Sequence, residues 1–215
     1  MKHRWLYLLA VAVLAGGCFG GKAVQRRALA RRRTFLPEIG QAVRAEAPKT
    51  CFAAAKIRTF RALPPFDVCA FIVRRAGGEY AVDFYNCWLA PPQALIRTQT
   101  ARYLEEAGIF QAVYDAGAGT SVRLGIEGVV SGLYLDYAGD EPAAVVRLRL
   151  LVLDEHSPQF RVLFDAERES REAFNAENKN AAAEAFGAAL TKALAELTAA
   201  LRTADLPRHD AAYSP

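Results

Sequence analysis

The sequence predicts an α+β domain, a mostly antiparallel twisted sheet with one central and one C-terminal helix packed on one face. Three observations carry this. Four stretches between residues 122 and 164 alternate apolar and polar side chains at the period of a strand. A segment opened by Pro91-Pro92 and closed by Gly108 has the length and the bounding residues of a helix. Near the C-terminus, Phe186, Leu190, Leu194, Leu197 and Leu201 recur at spacings of four, four, three and four, which is a core-facing helical stripe.

In chain order, "TCFAAAKIRTF" (50–60) reads as the first strand and ends at the Pro64-Pro65 break. "CAFIVRR" and "EYAVDFYNCW" flank Gly77-Gly78 and read as a hairpin with a two-residue turn. That register sets Phe71 opposite Phe84 and Val73 opposite Val82, so one face is apolar. The central helix runs to about Ala107 and buries Leu95, Ile96, Tyr103 and Leu104. A short strand over 110–114 leads into the loop "DAGAGT". Val122, Leu124 and Ile126 then alternate on even positions, whereas Leu133, Leu135 and Tyr137 alternate on odd ones. The parity switch near Ser131-Gly132 implies a β-bulge. Val146, Leu148, Leu150 and Val152 alternate with Arg147 and Arg149, and Phe160, Val162 and Phe164 with Arg161 and Asp165, giving one dry and one wet face. The closing helix spans about 177–202.

The N-terminal stretch bears on compartment. Behind Lys2 and Arg4, the apolar run Leu6–Ala15 is ten residues long. A membrane-spanning helix needs about 18–20, so the run fits the core of an export signal. Gly16 and Gly17 then precede Cys18, the arrangement of a bacterial lipoprotein in which the cysteine thiol is acylated and the chain is cut before it. Ala15 stands where a bulkier residue is usual, and Ala15 and Gly17 also suit an ordinary signal peptidase, which leaves plain secretion open. The organisation expected is a signal peptide over 1–17, an anchor, basic tether and lead over 18–48, a folded domain over 49–203 and a loose tail over 204–215.

Residues 19–34 contain Lys22, Arg26, Arg27, Arg31, Arg32 and Arg33 and no acid. Arg26, Arg27, Arg31, Arg32 and Arg33 form a candidate membrane-surface patch, since a basic segment beside lipid anchors gains about 1 kcal/mol per residue near an anionic surface. A solvated linker held open by self-repulsion accounts for the same composition. The net charge of +4 falls to +2 once Lys2 and Arg4 leave with the signal, too little for nucleic-acid binding by the whole chain. The 53% hydrophobic content allows a proper core.

Catalysis finds little support. Nucleophilic chemistry needs a base held beside Ser or Cys, yet the mature chain keeps only His156, in a predicted turn, and His209, in the tail. "GVVSG" places Ser131 fourth rather than in the middle of a nucleophile elbow, and "GAGT" lacks the lysine and length of a phosphate loop. Cys51, Cys69 and Cys87 are far apart, without the clustering of a metal site. No cofactor or metal is expected. In an oxidising compartment a Cys69–Cys87 bridge is conceivable, but the two-residue turn points these side chains to different faces, and a three-residue turn would be needed to join them.

The order of these segments resembles the ABC-type transport auxiliary lipoproteins of the paraquat-inducible protein C type, over roughly Thr34 to Arg202. The likeness rests on the cysteine after the signal, the strand and proline-bearing loop "KIRTFRALPPFDV", the hairpin ending "YAVDFYNCWLAPP" with Trp88 and Pro91 at matching places, the meander, and the alanine-rich final helix. Cys87 departs from the pattern, where a polar residue is usual, as does the arginine-rich lead. The resemblance implies a non-enzymatic accessory of an ABC transporter and MCE-domain protein that move lipid or other apolar solutes between membranes. It also implies attachment to the periplasmic face of the outer membrane, as Phe19 rather than Asp follows the cysteine. Inner-membrane or soluble periplasmic residence stays open. A structural or outer-membrane-assembly lipoprotein with no transport partner is the alternative, and Trp88 reads as a core residue before an interface anchor.

Overall fold

One strand organises the sheet. In the computed structural model, which describes residues 32–42, 52–119, 121–178 and 180–208, β6 (Leu124–Asp136) pairs along one edge with β7 (Ala143–Asp154) and shares its other edge between two shorter strands. Its first half lies parallel to β2 (Ala55–Ala62) and its last residues lie parallel to β3 (Ala70–Arg74). The sheet therefore forks. One arm continues from β2 to β5 (Val113–Tyr114), and the other runs from β3 to β4 (Tyr80–Trp88) and β1 (Arg33–Phe35). β8 (Arg161–Ala173) closes the far side against β7. The long ladders are antiparallel as predicted, while β2, β3, β5 and β1 join by short parallel pairings, so the sheet is mixed.

The bulge implied by the parity switch is present: the β6–β7 register shifts between Val130 and Gly132. Because side chains alternate with period two, that extra residue returns Leu133 to the same face as Ile126 and Val130. All three are buried there with Val146, Leu148, Leu150 and Val152 of β7.

Both helices cover that face. The first, α1 (Pro92–Ala107), begins where the two prolines place it, and Gly108 closes it in the left-handed conformation (φ 62°) that costs glycine nothing. It buries Ile96, Tyr103 and Leu104 as expected, with Leu95 half-buried. The second, α2 (Ala181–Arg202), buries the whole predicted stripe from Phe186 to Leu201. Each of those five side chains contributes about 2 kcal/mol by leaving water. The helix starts at 181 rather than 177, after the turn at 176–178.

Two registers differ from expectation. The β3–β4 hairpin turns through a 3₁₀ turn at Ala76–Gly78, closed by the Arg75 N–H donating to the Glu79 carbonyl at 2.8 Å. Gly77 and Gly78 supply the positive φ angles. With three residues in the turn instead of two, Phe71 faces Asp83 and Ile72 faces Val82, and Phe84 moves to the face away from the helices. A bulge then sets Cys87 opposite Ala70, so the longer turn does not join the thiols, and Cys69 and Cys87 are free. On β8, a shift between Val152 and Leu153 pairs Val162 with Leu153 and turns it out of the core. Phe164 packs inward, whereas Phe160 and Val162 are half exposed.

The lead segment docks on α2 at one close point. A Cβ added to Gly187 would overlap the Glu38 carbonyl oxygen. The Gly40 N–H donates to Thr191 Oγ1 at 2.9 Å, and that hydroxyl donates to the Gly187 carbonyl at 2.7 Å. Gly→Ala inside a helix ordinarily gains about 1 kcal/mol. Gly187→Ala should instead lose about 1–3 kcal/mol by forcing the lead segment off α2, read as a lower urea midpoint. A raised midpoint would contradict the docking.

Candidate functional site

The residues nominated by sequence fall in two groups. Cys18, Arg26, Arg27 and Arg31 lie outside the described residues, as do Cys51 and His209. Arg32 precedes β1, Arg33 opens it, and both engage the domain. Arg32 Nε–H donates to Cys87 Sγ at 2.9 Å. Arg33 donates to Asn180 Oδ1 at 2.5 Å, with its guanidinium 4.7 Å from the centre of the Phe35 ring.

Trp88 is a core residue, 4% exposed. The β1–β4 ladder sets it beside Phe35, and its ring lies 4.4 Å from Phe71 and 4.9 Å from Phe186, centre to centre. Pro91 is the N-cap of α1. The space beside these groups, bounded by Leu95, Ile96, Leu133 and Leu190, amounts to about 10 Å³. One water needs a similar volume, and ligand pockets run to about 300–1,000 Å³. The core is filled.

The larger concavity is a cleft of about 640 Å³ where the outer edge of β2 meets the first turn of α1. Lys56, Arg58, Phe60, Gln93, Arg97 and Phe160 line it. Its cations are largely matched: Arg58 lies 3.5 Å from Glu127 and 3.3 Å from Glu155, and Arg97 lies 2.8 Å from Asp115. Phe160 adopts a positive φ of 48° and stands 5.4 Å from the Arg58 guanidinium carbon. The cleft offers an aromatic wall and paired charges, with no nucleophile held by a base.

Elsewhere, His156 is an exposed turn residue whose backbone N–H donates to Asp154 Oδ1 at 3.1 Å. Ser131 donates to Glu167 at the bulge. Among the described residues no group of three or more His, Cys, Asp or Glu could hold a metal ion, and no helix is long and apolar enough to cross a membrane.

Sequence reading missed Asp136. It ends β6 with its side chain 1% exposed. Arg74 grips it with two bonds, Nε to Oδ1 at 3.0 Å and NH2 to Oδ2 at 2.5 Å. Arg171 donates to Oδ2 from β8, and the Ala138 N–H donates to Oδ1 at 3.0 Å. The Arg74 bonds first, then those from Arg171 and Ala138, hold the carboxyl well below the usual carboxylate range against the opposing effect of burial. One carboxylate thus ties β3, β6 and β8 together. "IVRR", "LYLD" and "SRE" lie far apart in the chain, so only the fold brings them together.

No family model matches the chain, and no curated protein matches it. Its fold is shared by solved structures. Protein XCC0632 from Xanthomonas campestris, described under the family model DUF330, superposes with a TM-score of 0.65 at 23% identity, over 77% of this chain and 92% of that one. An uncharacterized protein does so at 0.56 and 10% identity, over 80% and 97%. Lipoprotein GNA1162 from Neisseria meningitidis reaches 0.38 at 14% identity, over 69% and 94%. The first two establish the fold.

Because the Asp136 carboxyl titrates lower in the folded chain than in the unfolded one, its contribution is complete above about pH 5 and declines as pH falls through roughly 4. The urea midpoint should therefore drop on acidification, and less steeply in Asp136→Asn. Asp136→Ala should cost about 3 kcal/mol at neutral pH, at the low end for a buried pair because both guanidinium groups reach water. A variant with unchanged midpoint and unchanged pH slope would contradict the clamp.

Proposed function

We propose that the mature chain is a non-enzymatic envelope lipoprotein, acylated at Cys18, that acts as an accessory component of an ABC/MCE-type system moving lipid or another apolar solute between membranes. The observation that carries this reading is the short apolar run ending at Gly17-Cys18, placed ahead of sequence segments whose order resembles that of the auxiliary lipoproteins. XCC0632 shares the fold of this domain.

The filled core narrows the role. An apolar cargo needs an apolar enclosure, and the space among Trp88, Leu133, Phe186 and Leu190 holds none. The protein therefore positions or stabilises the subunits that carry the cargo. Phe19 rather than Asp after the cysteine supports residence at the periplasmic face of the outer membrane, with the inner membrane as the alternative. An MCE-domain protein and ABC subunits are the partners.

Cys18→Ala should abolish labelling by radioactive palmitate and move the protein from the membrane to the soluble periplasmic fraction. The released protein, extracted and examined by mass spectrometry, should carry no stoichiometric phospholipid. Unchanged labelling would overturn the anchor. About one lipid per chain, retained through gel filtration, would make the protein a carrier instead.

A further inference from the structure

The sheet face away from the helices is divided. Over the β6–β8 half it is a lattice of ion pairs: Arg147 with Glu169, Arg149 with Asp165, and Arg58 with Glu127 and Glu155. Over the β1–β4 half it is apolar. Phe71 points toward the helices, where it touches Phe186, and it pairs with Asp83. Alternation from Asp83 therefore places Phe84 on the opposite face with Val82 and Tyr80, and the irregularity over residues 84–86 then returns Trp88 to the helix face. Leu36 and Leu89 follow the paired residues Phe35 and Trp88, and the Leu89 N–H donates to the Phe35 carbonyl, which carries them to that same face. Phe84 is 76% and Leu89 64% exposed, and Leu36, Val82 and Tyr80 each exceed two-fifths. Exposed large apolar side chains gathered on one half of a face are the pattern of a binding surface.

We infer that this half-face is a membrane-contacting surface that rests on an anionic bilayer, with Phe84, Leu89 and Leu36 entering the headgroup region. This rests on the lipoprotein reading above. Two observations select lipid as the occupant. Leu36 directly follows β1, the strand through which the chain enters the domain, and the stretch from Cys18 to Arg32 reaches at most about 50 Å even when fully extended. That same stretch and the start of β1 carry Lys22, Arg26, Arg27, Arg31, Arg32 and Arg33 without an acid, which complements anionic headgroups. Exposed apolar side chains and a cationic segment in one chain are the two components of interfacial attachment. The charges of the ion-paired half would be costly to desolvate, so the contact is confined to the apolar half.

The mature lipidated protein, reconstituted in vesicles of phosphatidylethanolamine and phosphatidylglycerol, tests this with Phe84→Trp. Trp5 leaves with the signal and Trp88 is buried, so the new indole reports the patch. Vesicles with brominated acyl chains should cut its emission roughly by half, as expected for a ring about 5–10 Å into the interface. The same probe at the exposed Gln159→Trp should stay unquenched. Unquenched Phe84→Trp emission in protein that co-floats with the vesicles would overturn the proposal. So would a blue shift that appears only on adding a protein partner, or only as chain concentration rises. Loss of co-flotation with no acyl mass on Cys18 would remove the anchor itself, and this surface with it.

Discussion

The bulge between Val130 and Gly132 is the constraint on which the rest of the structure depends. A 13-residue strand of strict alternation would send Leu133 and Leu135 to the open face while Ile126 and Val130 faced the helices. One inserted residue removes the conflict. Leu133 then lies under Phe186 and Leu190, continuing the floor that Leu124, Ile126 and Val130 begin. The same switch turns Tyr134 to the open face, where it meets Phe66 and Tyr80 at ring separations of 5.8 and 5.6 Å. It also delivers Asp136 to Arg74 and Arg171. Packing on one face and a carboxylate that joins three strands are consequences of one insertion.

From this follows where the protein can act. Both helices are spent covering a single face, and the aromatic group of Phe35, Phe71, Trp88 and Phe186 fills the space between them. Function is left to the surface. The open face divides into an ion-paired half and an apolar half, and a sheet edge or face that stays apolar in isolation invites a partner or a membrane, whereas charged positions discourage both. The chain enters beside the apolar half, which gives that division a direction.

What the sequence made legible was local. Pro91-Pro92 and Gly108 bound α1 through their own backbone preferences, and the stripe from Phe186 to Leu201 needs only helical geometry to be read. The bulge was visible because parity is counted along one strand. What escaped depends on separated segments. The hairpin register turned on whether two or three residues form the turn, and glycines at 77 and 78 permit either. The outward turn of Val162 depends on a shift against β7, and Asp136 acquires meaning only when Arg74 and Arg171 arrive from other strands. Cys18 and the arginines before Arg32 are legible in sequence terms alone, as motif and composition.

Partnership is the central claim about function, and affinity isolation addresses it most directly. The full-length chain, processed in cells and tagged at its C-terminus, would be recovered from gently solubilised envelopes and its companions quantified by mass spectrometry against a Cys18→Ala control. The account predicts enrichment of an MCE-domain protein together with ABC transporter subunits, weaker in the control. Recovery of outer-membrane assembly factors without any transporter subunit would contradict it and favour a structural lipoprotein.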